Sequence, residues 1–124
     1  MTKQKWFISH PSGAYRHTPV FFEALEQFAR EEGKKVELVL PRDDQGEHNN
    51  TKMIIEESDL VVAEVSIAST GSGIELGWAS AAGKEIIVFH QGAEVASPAL
   101  KFVTKKMHSY ITEEDVLLVL KQLL

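Results

Sequence analysis

Two runs of the chain are apolar almost without a break: Leu60-Val61-Val62-Ala63-Glu64-Val65 and Glu85-Ile86-Ile87-Val88-Phe89-His90. Each is short for a helix and too uniformly apolar for a strand with one wet face. Such runs fit central strands of a parallel sheet, covered by helices on both sides. Parallel neighbours need crossover connections, so the segment between them has to supply a helix. That segment contains Ser69-Thr70-Gly71-Ser72-Gly73-Ile74-Glu75-Leu76-Gly77-Trp78-Ala79. It reads as a glycine-rich turn opening a helix over about 73–82, with Gly83 ending it. The turn therefore lies at the carboxyl end of a strand, the edge where open α/β sheets bind ligands.

The remaining chain alternates in the same way. Residues 5–10 form a short apolar strand with polar residues at its end, followed by turn chemistry at Pro11-Ser12-Gly13-Ala14. Thr18-Pro19 has the pattern of an N-cap with proline at the first helical position. Phe22, Leu25, Phe28 and Ala29 follow at helical spacing, and Gly33 stands where a C′ glycine belongs. A strand over 36–40 stops at Pro41, and 42–50 is a polar loop. Asn49 or Asn50 caps a short helix over 51–57, with Met53, Ile54 and Ile55 as its inward residues. Ser97-Pro98 repeats the cap-then-proline pattern for a short helix to Val103. Residues 107–111 supply a candidate fifth strand. Thr112 opens a last helix, whose acidic first turn suits the helix dipole and whose apolar stripe is Val116, Leu117, Leu120, Leu123 and Leu124. The expected architecture is α/β: one doubly wound, flavodoxin-like (Rossmann-like) three-layer sandwich with a four- or five-stranded parallel sheet, spanning 1–124 as one domain.

Composition narrows the function. A net charge of −5 argues against general affinity for nucleic acid polymers or anionic membranes. With no cysteine there is no disulfide, thiolate metal site or cysteine nucleophile. No apolar run approaches the ~20 residues of a membrane span. Polar Ser9 and His10 interrupt what would be the core of a signal peptide. The expectation is a cytoplasmic protein acting on a small molecule, with no cofactor and no metal.

Glu75 has two readings. Ser72-x-x-Glu75 fits a capping box, in which the glutamate serves its own helix. Alternatively the carboxylate faces the crevice as a nucleophile or base. Gly71 and Gly73 complete neither a phosphate-binding P-loop nor the dinucleotide fingerprint, but they permit close approach of a ligand to the backbone. Ser69 and Thr70 add hydroxyls suited to a sugar or phosphate. His10 and His90 end the first and fourth strands and can face the crevice or bond a loop; no spacing marks them as metal ligands. His17, His48 and His108 read as loop or surface residues, Asp59 as a turn residue, and Asp43 and Asp44 as a solvated loop. Glu64, a carboxylate in an apolar strand, is costly to bury unless paired and is read as shaping the site.

The stretch 58–65, with Ser69, Gly71, Gly73, Glu75-Leu76-Gly77 and Ala79, resembles the nucleoside 2-deoxyribosyltransferase superfamily. It is most similar to the branch of 2-deoxynucleoside 5′-monophosphate N-hydrolases. The resemblance implies that Glu75 is the nucleophile attacking the anomeric carbon of a nucleoside or nucleotide. It also implies that Ser69 contacts a 5′-phosphate, and that Ser97 matches a second phosphate-contacting serine supplied by a neighbouring subunit of a homo-oligomer. Trp6, Ser9 and His10 fall at the substrate, with Trp6 standing where the branch has a tyrosine. The family aspartate that assists departure of the base falls near Asn49-Asn50-Thr51, which offers no carboxylate; His10 or Glu64 is the conceivable substitute. A chain with the pocket but not the acid is also consistent with a nucleotide-binding or sensing module. The start Phe7-Ile8-Ser9-His10 further resembles TIR domains, some of which cleave the nicotinamide–ribose bond with a glutamate.

Overall fold

The computed structural model describes residues 2–11, 13–40, 50–93 and 97–124. In chain order the elements are β1 (Gln4–Ser9), α1 (Ala14–His17), α2 (Pro19–Glu32), β2 (Val36–Val39), α3 (Thr51–Glu57), β3 (Leu60–Glu64), α4 (Thr70–Ala81), β4 (Ile86–Gln91), a 3₁₀ helix (Pro98–Phe102), β5 (Met107–Tyr110) and α5 (Glu113–Gln122). The five strands form one parallel sheet in the order β2-β1-β3-β4-β5. This is the flavodoxin-like order, with the first crossovers running to opposite sides of β1. The expected loop over 42–50 lies almost wholly outside the described residues, as do His48, Asn49, Asp43 and Asp44.

Strand alternation divides the core in two. Trp6, Ile8, Leu60, Val62, Ile87, Phe89 and Tyr110 pack beneath α2 and α5, with Phe21, Phe28 and Leu120. Phe7, Val61, Ala63, Val65, Ile86 and Val88 pack beneath α3 and α4, with Ile55, Leu76 and Ala79. The central strands are buried along their length, as continuous apolar runs require.

Several local expectations change. Thr18 precedes α2, but its side chain makes no cap bond; its hydroxyl donates to the Ala14 carbonyl at 2.9 Å, closing the extra turn α1 that the sequence reading missed. Gly33 ends α2 at φ −61, so the left-handed conformation of a C′ glycine is absent; a Cβ there would meet the Ala29 carbonyl oxygen at 2.6 Å, and close approach is what favours glycine. Asn50 does precede α3, without a side-chain cap bond. Of the three apolar residues expected to face inward on α3, only Ile55 is buried, while Met53 is 51% exposed. A seven-residue helix lying over the sheet presents little more than one residue per turn to the core. Leu124, expected in the last helix's stripe, is exposed beyond the end of α5. The expected α5 cap is present as a full capping box between Thr112 and Asp115. His108 is half-buried on β5 beside the Phe89 ring, and burial, then the nearby His90, lowers its pKa.

Candidate active site at the N-terminus of α4

The helix bearing Glu75 begins three residues earlier than its sequence pattern suggests. Ser69 is the N-cap, in extended conformation, and its hydroxyl oxygen accepts from the Ser72 backbone N–H at 3.4 Å. Ser72 is therefore the third helical residue, and the capping box read at Ser72-x-x-Glu75 does not form. Glu75 stands in the second turn, and Gly71 and Gly73 lie within the helix rather than in a preceding turn.

Ser9 is the residue that meets Glu75. It ends β1 on the same side of the sheet as Phe7, the side that α4 covers. Its hydroxyl donates to Glu75 Oε1 at 2.7 Å. Ser9 is fully buried and Glu75 half-buried. A charge-assisted O–H···O bond of this length fixes the glutamate rotamer at the carboxyl edge of the sheet. The residues that meet are 66 apart in the chain.

Between α4 and the 3₁₀ helix lies a cavity of about 430 Å³. Its polar lining includes Ser69, Thr70, Ser72 and Ser97, and its apolar wall includes Leu76 and Leu100. Ser69 and Ser97 are both N-caps, Ser97 accepting from the Ala99 N–H at 3.3 Å, so two helix starts of one chain flank one space, where the resemblance implied a serine from a neighbouring subunit. The Ser72 hydroxyl is buried here with no hydrogen-bond partner among the described residues, an arrangement that costs free energy until a ligand or water meets it. Glu75 does not line the cavity itself. At 3.6 residues per turn it lies about 60° around the helix from Ser72 but about 100° from Leu76 and about 160° from Gly73 and Gly77, so cavity and carboxylate occupy different faces of α4.

Other expected site residues lie elsewhere. Trp6 is fully buried beneath α2, stacked on Phe28 with ring centroids 5.4 Å apart, and its indole N–H donates to Gln4 Oε1 at 2.8 Å. Strand parity puts it on the face opposite Ser9, so it is a core residue and not a wall of the crevice. His10 is 7% exposed on that same opposite side, edge-on to Phe22, with Nδ1 3.0 Å from the Pro11 carbonyl oxygen. His90 has Nδ1 2.9 Å from the Gly92 carbonyl oxygen. A carbonyl only accepts, so Nδ1 is the donor in both contacts. Glu64 is 1% exposed and also faces away from Glu75. Its oxygens accept from the Ser66 backbone N–H and the Tyr110 hydroxyl. No sequence motif marks Tyr110 or Ser66; only the packed sheet brings both to Glu64. Among the described residues no group of three or more histidines and carboxylates is arranged to hold a metal, and no helix is long and apolar enough to cross a membrane.

No protein-family model matches the sequence, and no curated protein matches it. Solved structures do. The CMP N-glycosidase BcmB of Clostridium botulinum superposes with a TM-score of 0.68 over 98% of this chain and 100% of its own, at 25% identity. A 2-deoxyribosyltransferase from Bacillus psychrosaccharolyticus follows with a TM-score of 0.60, covering 91% of this chain and 90% of its own at 19% identity. The chain shares the fold of the nucleoside 2-deoxyribosyltransferase superfamily. The layer arrangement itself is wider than that superfamily. A 3-dehydroquinate dehydratase-like protein from Bifidobacterium longum covers 96% of this chain with a TM-score of 0.56 at 13% identity. The superfamily likeness therefore rests on the first two structures together with the residues 58–79, not on the sheet order alone.

Proposed function

We propose that this chain cleaves, or transfers the sugar across, the N-glycosidic bond of a (deoxy)nucleoside 5′-monophosphate or nucleoside, with Glu75 as nucleophile. The observation that carries this reading is the Ser9–Glu75 hydrogen bond of 2.7 Å at the carboxyl edge of the sheet. It holds a half-buried carboxylate outside its own helix cap, on the helix whose first turns also line a cavity within the ~300–1,000 Å³ range of small-molecule sites. Likeness to an N-glycosidase and a deoxyribosyltransferase supports the same reaction class.

The chemistry is that of a retaining glycosidase. A Glu75 oxygen bonds to the anomeric carbon as that carbon's bond to the base nitrogen breaks. The bonding pair leaves with the base, which takes up a proton from solvent, replaced when the water of the second step gives up its own. Water then attacks the same carbon, releasing the carboxylate and a free sugar phosphate; a second base attacking instead completes transfer. Ser69, Ser72 and Ser97 present neutral hydroxyls, and the first turn of α4 presents backbone N–H groups, an environment suited to phosphate oxygens. The test is release of free base from each of the common ribo- and deoxyribonucleoside monophosphates, followed chromatographically at high enzyme concentration. Release from none of them, together with no base exchange between nucleosides, would sink the proposal.

A second reading, a nucleotide-binding or sensing module, is favoured by one observation. The start of α3, where the family's proton-donating aspartate is expected, holds Asn50 and Thr51. Thermal stabilisation by a nucleotide without turnover would select this reading.

The proposed assembly is a homo-oligomer. Apart from Glu75, the outward surface of α4 is uncharged, with Gly73, Ile74, Gly77 and Ala81 exposed, and Phe102 stands 80% exposed near the cavity.

Gly73 offers a sharper test of the cavity. A Cβ at this position would meet no atom within 4 Å, so the protein's own packing does not demand glycine. Gly73→Ala should stabilise the helix by about 0.5–1 kcal/mol, seen as a rise in Tm, and raise KM because the methyl enters the cavity. A higher Tm with unchanged KM would place the substrate elsewhere.

A further inference from the structure

Glu64 is a carboxylate placed where a branched apolar residue would pack well. Its neighbours on that face of the sheet include Val62, Phe89 and Tyr110. Burying a carboxylate is costly unless hydrogen bonds compensate it, and replacing such a group with an apolar one often stabilises a protein. Glu64 therefore needs a reason beyond stability, and its partners supply one. One oxygen accepts from the backbone N–H of Ser66, two residues on, and the other accepts from the Tyr110 hydroxyl at the end of β5. Ser66 in turn accepts on Oγ from the Gln91 backbone N–H at 2.7 Å, and Val65 donates its N–H to the Phe89 carbonyl at 2.9 Å.

These bonds tie the start of the 65–69 loop to β4 and β5. The next two residues, Ile67 and Ala68, are exposed. Ser69 follows, as the cap of α4 and part of the cavity lining. Ser66 is thus anchored between Val65 and Ile67, which, like Ala68 and Ser69, line the cavity. The Tyr110 hydroxyl is kept a donor, because burial first and Glu64 second push its pKa far upward.

We propose that Glu64 and Tyr110 are positioning residues that hold Ser66, and through it the 65–69 loop, so that Ser69 and the first turn of α4 are aimed at the substrate's phosphate. They lie on the face of the sheet away from Glu75, so their effect falls on phosphate recognition rather than on bond cleavage. The kinetic part rests on the proposed function; the structural part does not.

Tyr110→Phe removes only the hydroxyl. The expected result is a KM for the monophosphate raised roughly 10-fold or more, with kcat nearly unchanged and with kcat/KM for the corresponding unphosphorylated nucleoside unaffected. Glu64→Ala should reproduce that pattern, and Glu64→Gln, which keeps an acceptor for the Ser66 N–H, should recover part of it. Should Tyr110→Phe fail to fold, Ser66→Ala, which removes only the hydroxyl accepting from Gln91, makes the same comparison.

Amide hydrogen exchange on the ligand-free variant supplies the arm that needs no activity. Faster exchange confined to the 66–70 region, with α2 and β1 unchanged, supports the positioning role even if the wild type releases no base. Equal kinetic losses on nucleoside and monophosphate, unchanged loop exchange, or exchange rising throughout the chain overturns it.

Discussion

Glu75→Ala should abolish base release while leaving the chain folded. Loss of a nucleophile that no neighbouring group replaces is expected to lower kcat by about 10⁴–10⁶-fold. The stability cost is small by comparison, because Glu75 is half-buried and a hydrogen bond such as that from Ser9 contributes about 1 kcal/mol net. Activity and thermal melting therefore separate cleanly in this variant. A second readout addresses the covalent step. Wild-type protein quenched in acid during turnover should carry the mass of the sugar phosphate, and the alanine variant should not. An alanine variant that retains wild-type turnover would transfer the nucleophile's role to another residue and remove the basis of the proposed mechanism.

Trp6→Ala should lose about 3–5 kcal/mol of stability, the usual range for deleting a buried aromatic side chain. Trp6 is fully buried, packs flat on Phe28 at 5.4 Å and has its N–H satisfied by Gln4. Against a typical total of roughly 5–15 kcal/mol, this loss is a large fraction of what holds the domain together. Urea denaturation of wild type, Trp6→Ala and Trp6→Phe measures it, with the phenylalanine variant expected to lose less because it keeps an aromatic partner for Phe28. If Trp6→Ala unfolds at nearly the wild-type urea concentration but loses substrate affinity, Trp6 belongs to the site after all.

These two residues show how unevenly the site could be read from the chain. Glu75 stood out because a carboxylate follows spaced glycines just after an apolar strand, a local pattern. Its working partner Ser9 lies 66 residues away, and no local pattern joins the two. The family resemblance places Trp6 at the substrate along with Ser9, yet side-chain direction reverses at each strand residue. Residues 6 and 9 consequently serve opposite faces, one toward α2 and the other toward α4.

The order of elements and the parallel sheet were legible because their causes are local or additive. Continuous apolar runs mark strands covered on both sides, and serine or threonine before a helix marks its start. Ser97 and Thr112 cap their helices as their neighbours suggest. Ser72 does not, because Ser69 sits one turn earlier and meets the same need; the helix takes the longer start, and this moves Glu75 out of the cap and into reach of Ser9. Orientation was not legible. Which face of α3 is buried, which side of the sheet Glu64 enters and which serines share a cavity depend on how helices and strands distant in sequence pack together. That packing is settled by burial summed over the whole sheet, a quantity no short stretch of residues contains. The chain's pattern thus names the elements and one candidate chemical group, and only the assembled layers bring Ser9 to Glu75 and set Ser69 opposite Ser97 across one space.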